Sequence, residues 1–203
     1  MSPDTGPNSK PIILASQSPR RVELLREAGI SFDAVSPAEP EPDSAAWPFS
    51  PEEFAQSAAY YKARTVADRH RDRIILAADT VVALDGRIYG KPADREDARR
   101  ILSALAGVAQ DVITGVAVLH PAAGRRIIEY DLTRVTMKPM SPGQIEAYLD
   151  SGEWEGKAGA YAIQGRADKF VERVEGSFSN VVGLPLELVM DMLSRFGITP
   201  RAK

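Results

Sequence analysis

The sequence predicts an α/β fold, because short apolar runs typical of buried strands alternate with helical patterns along its 203 residues. The first run, at residues 11–15, leads through a polar turn into a helix that ends near residue 29. Two longer runs, at 73–84 and 112–119, each follow another helical pattern. No internal repeat or low-complexity linker divides the chain, so residues 11–203 are expected to form one domain.

The composition narrows the classes of function that fit the chain. A net charge of −3 gives no general attraction to nucleic acid, and no cysteine is present for disulfides, thiol catalysis or metal binding. Residues 1–10 are polar and lack the apolar segment of a signal peptide, so they are expected to be a disordered tail. No apolar run approaches the roughly 20 residues of a membrane span. We therefore expect a cytoplasmic protein without nucleic-acid or membrane partners.

Polar side chains cluster where the first strand passes into the first helix. Ser18 is placed to act as the N-cap of this helix, and Pro19 takes its first position, where a missing N–H costs nothing. The free backbone N–H groups, the positive end of the helix dipole and the guanidinium groups of Arg20 and Arg21 are expected to converge there, next to Ser16. This pattern predicts an anion site, most often a phosphate site. The alternative is an arginine pair on the surface of an ordinary helix start.

A long loop rich in proline and acidic residues follows at 36–51. Its carboxylates are candidate metal ligands, with a solvated acidic loop as the alternative: Glu39, Glu41 and Asp43. Ser50 then begins a helix in which Glu53 completes a capping box. This helix is expected to run to about residue 70, with one face formed by Phe54, Ala58, Tyr61 and Thr65. Lys62 is expected to point either into a cleft or into water.

The apolar run at 73–84 contains a carboxylate. A strand is expected to break at Asp79-Thr80 and to resume at 81–84. Because burial of an unpaired carboxylate is costly, Asp79 is expected to have a cation or a metal as its partner, near the carboxyl end of a strand. The alternative is an aspartate that caps a turn. A hairpin turn is predicted at 85–86, and Lys91 falls near the end of the returning strand.

The rest of the chain predicts three helices, at 94–106, 141–151 and 186–195. It also predicts strands at 112–119, 126–135 and 170–174, the first of them interrupted at Thr114-Gly115. The stretch at 156–165 is rich in glycine and alanine, which permits a close approach of a ligand or of another strand. Neither a complete P-loop nor a GxGxxG motif is present, so the sequence does not support these two ways of binding a nucleotide.

Taken together, these stretches resemble the Maf proteins, a family of nucleoside-triphosphate pyrophosphatases, over about residues 12–195. The resemblance depends on the order and spacing of six motifs: LASQSPRR at 14–21, ADT at 78–80, GKP at 90–92, ITG at 113–115, GKAGAYAIQG at 156–165 and GSFSNVVGLPL at 176–186. The form of the fifth motif resembles the subgroup that acts on dTTP and UTP.

The resemblance implies a long, mixed, twisted β-sheet flanked by helices, in two lobes with a central cleft, as in Maf and ITPase folds. It also implies hydrolysis of a nucleoside triphosphate to the monophosphate and pyrophosphate. Asp79 matches the position of the proton acceptor. The positions linked to base specificity correspond to Arg20, Thr80 and Gln164. The polar positions along the triphosphate site correspond to Ser16, Arg21, Lys62 and Lys91.

A triphosphate carries about four negative charges, which a divalent cation, Mg²⁺ or Mn²⁺, and a set of Arg and Lys side chains would neutralise. Asp79 is the base for water or a ligand of that metal, and the sequence leaves both roles open. Glu41 is a second candidate ligand, because it falls at the family's expected distance from Phe32. The resemblance further implies a homodimer.

The alternative function is a nucleotide-binding regulator of cell division with little turnover. Asp79 is present together with Arg20, Arg21 and Lys91. This combination favours an enzyme, because nucleotide binding alone has no need of the aspartate.

Overall fold

The computed structural model describes residues 10–37 and 50–200, and within them seven strands form one mixed sheet. The strands are β1 (Ile12–Ala15), β2 (Phe32–Val35), β3 (Ile75–Leu84), β4 (Arg87–Tyr89), β5 (Ala109–His120), β6 (Arg125–Met137) and β7 (Val171–Glu175). The helices are α1 (Pro19–Glu27), α2 (Pro51–Ala67), α3 (Arg95–Leu105), α4 (Pro142–Leu149), α5 (Phe178–Val182) and α6 (Leu186–Ser194). The strand order is β2-β1-β3-β5-β6-β7, with β4 beside β3. The predicted α/β class with a mixed, helix-flanked sheet is confirmed.

Strand β3 has an open stretch along one edge. On one side β3 pairs with antiparallel β5 from Ile75 to Ala83. On the other side it pairs with parallel β1 only at Ile75 and Leu76, and with antiparallel β4 only at 82–84. Within the described chain, residues 77–81 therefore have no strand partner on that side.

Helices cover both faces of the sheet. On one face α2 packs against the odd-numbered residues of β3, with Ile75 and Ala77 in the same buried cluster as alanines of the helix. On the other face, Leu76 belongs to a buried cluster with α1 and α6, whereas Val82 belongs to a second cluster with α3 and α4. These two clusters are the cores of the two predicted lobes, and Thr80 lies on β3 between them.

The sequence signals for helix starts are confirmed at α2 and α4 and only in part at α1. In α2 the Glu53 N–H donates to the Ser50 hydroxyl at 3.3 Å, and the Ser50 N–H donates to the Glu53 carboxylate at 2.9 Å. The same reciprocal capping begins α4. Ser18 takes the N-cap position of α1, but its side chain makes no capping hydrogen bond. The first-turn N–H groups of α1, which have no intrahelical acceptor, thus also lack this cap.

Three predictions about local structure are wrong. Strand β3 does not break at Asp79, and β5 does not break at Thr114-Gly115, because the two strands pair with each other continuously through this region. The predicted face of α2 is also wrong, since Tyr61 is exposed and Thr65 is only partly buried. The buried positions of this helix include Phe54, Ala55, Ala58, Ala59, Lys62, Ala63 and Val66.

Residues 1–9, 38–49 and 201–203 lie outside the described residues, so the tail and the single-domain boundary remain predictions. The candidate metal ligand Glu41 lies outside them too, as do Glu39 and Asp43. Among the helices that the structure describes, none combines the length and the apolar character needed to cross a membrane.

Helix α2 approaches the sheet most closely at Gly115 of β5. A Cβ atom on Gly115 would lie 2.2 Å from the backbone carbonyl of Ala55 and 2.4 Å from the amide nitrogen of Gln56. A backbone cannot move away as a flexible side chain can. Helix α2 therefore packs this close to the sheet only if residue 115 is glycine. Gly115 is also the cross-strand partner of Asp79. This contact therefore fixes the distance between α2 and Asp79.

We predict that Gly115→Ala destabilises the fold by about 1–3 kcal/mol, because the added methyl group forces α2 away from β5. The measurement is the urea midpoint of unfolding, with the slope of the transition unchanged.

The matched control is Gly143→Ala in the first turn of α4, where a Cβ atom would meet nothing within 4 Å. This change is expected to be neutral or to stabilise the protein by up to about 1 kcal/mol. Equal midpoints for Gly115→Ala and the unmodified protein would show that α2 is not held by this contact.

Candidate active site

A cavity of about 630 Å³ opens beside the unpaired edge of β3. Its walls come from the turn between β1 and α1, from the middle of β3, from Lys91 two residues after β4, and from two later segments at 156–163 and 181–183. The cavity thus lies at the junction of the two lobes. Seven of the eight side chains predicted for catalysis and substrate binding line it: Ser16, Arg20, Arg21, Lys62, Asp79, Thr80 and Lys91.

Two neighbouring residues of β3 line this cavity although their side chains point to opposite faces of the sheet. Successive side chains of a strand point to opposite faces, so Asp79 faces α2 whereas Thr80 faces the side of α1. Both line the cavity because the edge of β3 is open at this point. Asp79 and Thr80 therefore make two separate sets of contacts, one on each face of the sheet.

On the α2 side, Asp79 forms a buried ion pair with Lys62. The Lys62 Nζ atom donates to Asp79 Oδ1 at 2.5 Å, and both side chains are only 10% exposed. The partner that the sequence required for Asp79 is thus a cation, and the side chain of Lys62 points into the cleft rather than into water. Because burial of two charges is costly even when they are paired, this pair is weak evidence for stability.

On the other side, Thr80 takes part in a hydrogen-bond network that includes Arg21. The Arg21 Nη2 atom donates to Thr80 Oγ1 at 3.0 Å, and its Nε atom donates to the carbonyl of Gly183 at 2.7 Å. The hydroxyl groups of Thr80 and Thr114 lie 2.9 Å apart, and Thr114 in turn donates to the carbonyl of Asn180. Arg21 therefore ties α1 to β3 and to the segment after α5.

The start of α1 supplies donors to the cavity. The Ser18 N–H donates to Ser16 Oγ at 3.1 Å, which holds the turn compact. Arg20 projects from the first turn, and burial lowers its pKa below the ordinary value for arginine. The backbone N–H groups of this turn and the positive end of the helix dipole lie in the same wall.

The segment at 156–163 forms another wall of the cavity. The Gly159 N–H donates to the carbonyl of Gly90 at 3.1 Å, and a Cβ atom on Gly159 would lie 2.8 Å from Val82 Cγ2. Gly159 also has a φ of +70°, so both space and backbone conformation favour glycine here. This close approach to β3 confirms the packing that the small residues predicted.

The same segment adds two side chains that the sequence did not single out. Partial burial, and then the nearby charge of Arg20, lower the pKa of Lys157. Tyr161 is buried, and desolvation raises its pKa to about 12. Nothing in the spacing of the glycine-rich motif distinguishes Lys157 from an ordinary exposed lysine, so the local sequence carried no signal for it.

The described lining of the cavity is strongly cationic. It contains five basic side chains and the carboxylate of Asp79; the basic residues are Arg20, Arg21, Lys62, Lys91 and Lys157. The chain as a whole carries a net charge of −3. Positive charge is therefore concentrated in a concave site of an acidic protein, which favours a multiply charged anion.

Two of the predicted site residues are not brought to this cavity by the described structure. Gln164 is exposed and lies outside the lining. Glu41 lies outside the described residues. Within residues 10–37 and 50–200, no group of three His, Asp or Glu side chains is arranged to hold a metal ion. Asp79 is the one carboxylate that the described lining offers to a cation.

Comparison with solved structures shows a similarity of fold. A HAM1 protein from Coxiella burnetii superimposes with a TM-score of 0.50 over 91% of this chain and 98% of its own. The two sequences are 16% identical, so the likeness concerns the fold alone.

Comparison of sequences shows the family as well as the fold. A dTTP/UTP pyrophosphatase of Pelotomaculum thermopropionicum is 44% identical over 188 residues, which are 93% of this chain and 97% of that protein. A dTTP/UTP pyrophosphatase of Geobacter sulfurreducens is 46% identical over 189 residues, or 92% of this chain and 96% of that protein. Residues 11–196 match the family described as Maf-like protein. The chain therefore belongs to the Maf family.

Proposed function

We propose that this protein hydrolyses dTTP and UTP to the nucleoside monophosphate and pyrophosphate. One observation carries the proposal: a single buried aspartate lies among five basic side chains in a cavity of about 630 Å³. This volume is within the range of small-molecule sites, and the excess of positive charge matches the roughly four negative charges of a triphosphate. The names of the relatives that are 44% and 46% identical support the choice of substrates.

In this proposal the basic side chains and α1 hold the phosphates. Ser16 and the first-turn amides of α1 approach the triphosphate, and Lys157 of the segment at 156–163 adds a further positive charge. Lys91 stands two residues after β4, where a flexible ammonium group can follow the charge of the departing pyrophosphate. Arg21 presents its guanidinium group at a fixed position because its bonds to Thr80 and Gly183 hold it there.

The reaction is an attack of water on the α-phosphorus. The Asp79 carboxylate accepts a proton from the water, whose oxygen bonds to the α-phosphorus. The bond from this phosphorus to the bridging oxygen breaks, and its electron pair leaves with pyrophosphate. Lys62, at 2.5 Å, fixes the orientation of the carboxylate. Positioned donors that meet the charge as it develops supply the main stabilisation of the transition state.

A divalent cation, Mg²⁺ or Mn²⁺, is part of the proposal. Asp79 is the carboxylate of the described lining that would hold it, which suits Mg²⁺, since Mg²⁺ in proteins often takes one or two carboxylates together with substrate phosphates. Glu41 is proposed as a second ligand on the sequence alone. When bound, the cation would neutralise phosphate charge and lower the pKa of a bound water.

Recognition of the base is proposed for Arg20, Thr80 and Gln164. The hydroxyl of Thr80 is bonded to Arg21 and Thr114, so its contribution is to hold this wall as well as to meet the ligand. The amide of Gln164 both donates and accepts, which suits the edge of a pyrimidine. Because Gln164 is exposed, a base that contacts it must extend beyond the described cavity. The homodimer likewise remains a prediction.

The experiment that tests the reaction is product analysis. The purified chain is incubated with Mg²⁺ and each of the common nucleoside and deoxynucleoside triphosphates, and pyrophosphate and orthophosphate are measured separately. We expect pyrophosphate and a monophosphate, formed fastest from dTTP and UTP. Orthophosphate as the first product would place the attack at the γ-phosphorus and refute the mechanism. Nucleotide binding without any product would favour a regulator instead.

The role of Asp79 is tested by Asp79→Asn. We expect turnover to fall by about two to four orders of magnitude, because proton transfer by a positioned base contributes about that much. Binding of dTTP or UTP, measured by calorimetry, is expected to persist. The matched control is Asp85→Asn in the β3–β4 turn, where asparagine tolerates the positive φ of 52° and turnover should not change.

Asp79→Asn also leaves Lys62 without its charged partner, which can cost about 3–5 kcal/mol of stability. The double variant Asp79→Asn, Lys62→Met removes both charges and is expected to recover most of that stability while it stays inactive. Thermal melting of both variants separates loss of the base from loss of the fold. Normal turnover in a folded Asp79→Asn protein would overturn the assignment.

A further inference from the structure

A second cavity, of about 350 Å³, lies outside the candidate active site and shares none of its lining residues. It is formed by the C-terminal half of α2, the loop after it, the end of β5 and the start of β6. Leu119, in its wall, pairs with Ile75 at the start of β3, whereas the active site lies along the middle of that strand. Asp79 is four residues further along β3, or roughly 13 Å at about 3.3 Å per residue.

The charge of this cavity is opposite to that of the whole chain. Its described lining includes Arg64, Arg71, Arg125 and Arg126 and the one carboxylate of Asp68. The whole chain has a net charge of −3. Like charges around one concavity repel one another, and an anion bound between them would relieve that repulsion.

Two of these arginines are held in place by aromatic rings. The Arg126 guanidinium lies 5.5 Å from the centre of the Tyr60 ring, and its Nη1 atom donates to the Tyr60 hydroxyl at 3.2 Å. The Arg125 guanidinium lies 4.6 Å from the centre of the Phe196 ring and donates to the carbonyl of Arg195. Neighbouring residues of β6 point to opposite faces of the sheet, so Arg126, the partner of Leu119, lies on the α2 side with the pocket, whereas the Arg125 guanidinium lies on the α6 side against Phe196. Arg126 is therefore the positively charged donor held towards the pocket, and no carboxylate neutralises it in these contacts.

All four arginines are exposed, and the other two, Arg64 and Arg71, are only weakly engaged. Arg71 lies 3.8 Å from Asp68, and both side chains are largely exposed, so this pair contributes little. Arg64 has no ion-pair partner within residues 10–37 and 50–200. The backbone that carries Arg71 is nevertheless fixed, because the Ala122 N–H donates to its carbonyl at 2.8 Å. Arg126 is thus preset, and Arg64 and Arg71 are able to close on a ligand.

We propose that this cavity, the arginine pocket, binds a small anion that carries two or more phosphate groups. Arginine recognises phosphate oxygens through paired N–H donors, and the three guanidinium groups of Arg64, Arg71 and Arg126 on one side of the sheet suit several phosphates rather than one. The volume of about 350 Å³ is at the small end of the range for small-molecule sites. Inorganic pyrophosphate and a nucleoside diphosphate share this chemistry. The proposal is independent of the reaction assigned to the active site.

The test is a titration of the full chain followed by two-dimensional NMR of its backbone amides, at 0.15 M salt. The probes are inorganic pyrophosphate and UDP. Each is expected to shift the amides at 64–71 and 119–126, separately from any shift at 16–21 in the active site. Because each set of amides reports its own saturation, the two sites give separate dissociation constants.

The decisive variant is Arg64→Gln, Arg71→Gln, which removes two exposed charges outside the buried clusters of the core. We expect binding at the arginine pocket to weaken by about tenfold or more for each arginine, as loss of a charged hydrogen bond predicts. Binding at 16–21 and turnover of the nucleotide should not change. The matched control, Arg100→Gln, Arg173→Gln, removes the same charge from exposed positions outside both cavities and should leave both sites intact.

Each outcome has one meaning. Equal affinity for both probes means that the pocket recognises the phosphate groups alone. Tighter binding of UDP means that the pocket also contacts the nucleoside. Both outcomes support the proposal. The proposal fails if neither probe shifts the pocket amides at millimolar concentration, or if the double variant binds as the unmodified chain does. It also fails if only a single-stranded RNA oligomer, added in parallel, shifts these amides.

Discussion

The candidate active site depends on a mismatch of length between β3 and its neighbours on one edge. Strand β3 continues beyond its last pair with β1, and β4 joins the same edge only from residue 82. The open stretch at 77–81 spans about 17 Å at roughly 3.3 Å per residue, which is enough for a small molecule. On the opposite edge, β5 pairs with β3 at every residue of this stretch and keeps it rigid. A stiff strand with one open edge can carry reactive groups without losing its own hydrogen bonds.

The alternation of side chains along that strand then determines the chemistry. Asp79 pairs with Lys62 of α2, and Thr80 accepts a hydrogen bond from Arg21 of α1. Helices on opposite faces of the sheet therefore place positive charge at the same opening. The buried pair of Asp79 and Lys62 is costly to desolvate and offers little net stability. Such an arrangement fits a site that is built for an anionic ligand rather than for the core. Gly115 supports it, because a Cβ at this position would clash with the backbone of Ala55 and Gln56 in the helix that carries Lys62.

How much of this follows from the sequence depends on the range of the interaction. Capping at Ser50 and the hairpin turn at Asp85-Gly86 are local, and the structure confirms both. The continuity of β3 through Asp79 depends on pairing with β5, which lies more than 30 residues later in the chain. The apolar periodicity of the local sequence does not predict such a pairing. Lys157 was missed for the same reason, since its burial comes from packing of residues 156–163 against β3. Gln164 was assigned by family resemblance, which places a residue in a motif but does not place its side chain at the cavity.

Helix α2 carries residues of both cavities. Lys62 and Arg64 are two residues apart, or about 200° around a helix, so one points into the sheet and the other points away from it. A ligand in the arginine pocket would therefore act on Lys62 only by moving α2 as a whole. The contact of Ala55 and Gln56 with Gly115 opposes motion towards the sheet, and the buried alanines of the helix oppose motion away from it. The packing of α2 thus separates the two sites energetically, so that binding at one can be changed while turnover at the other is kept.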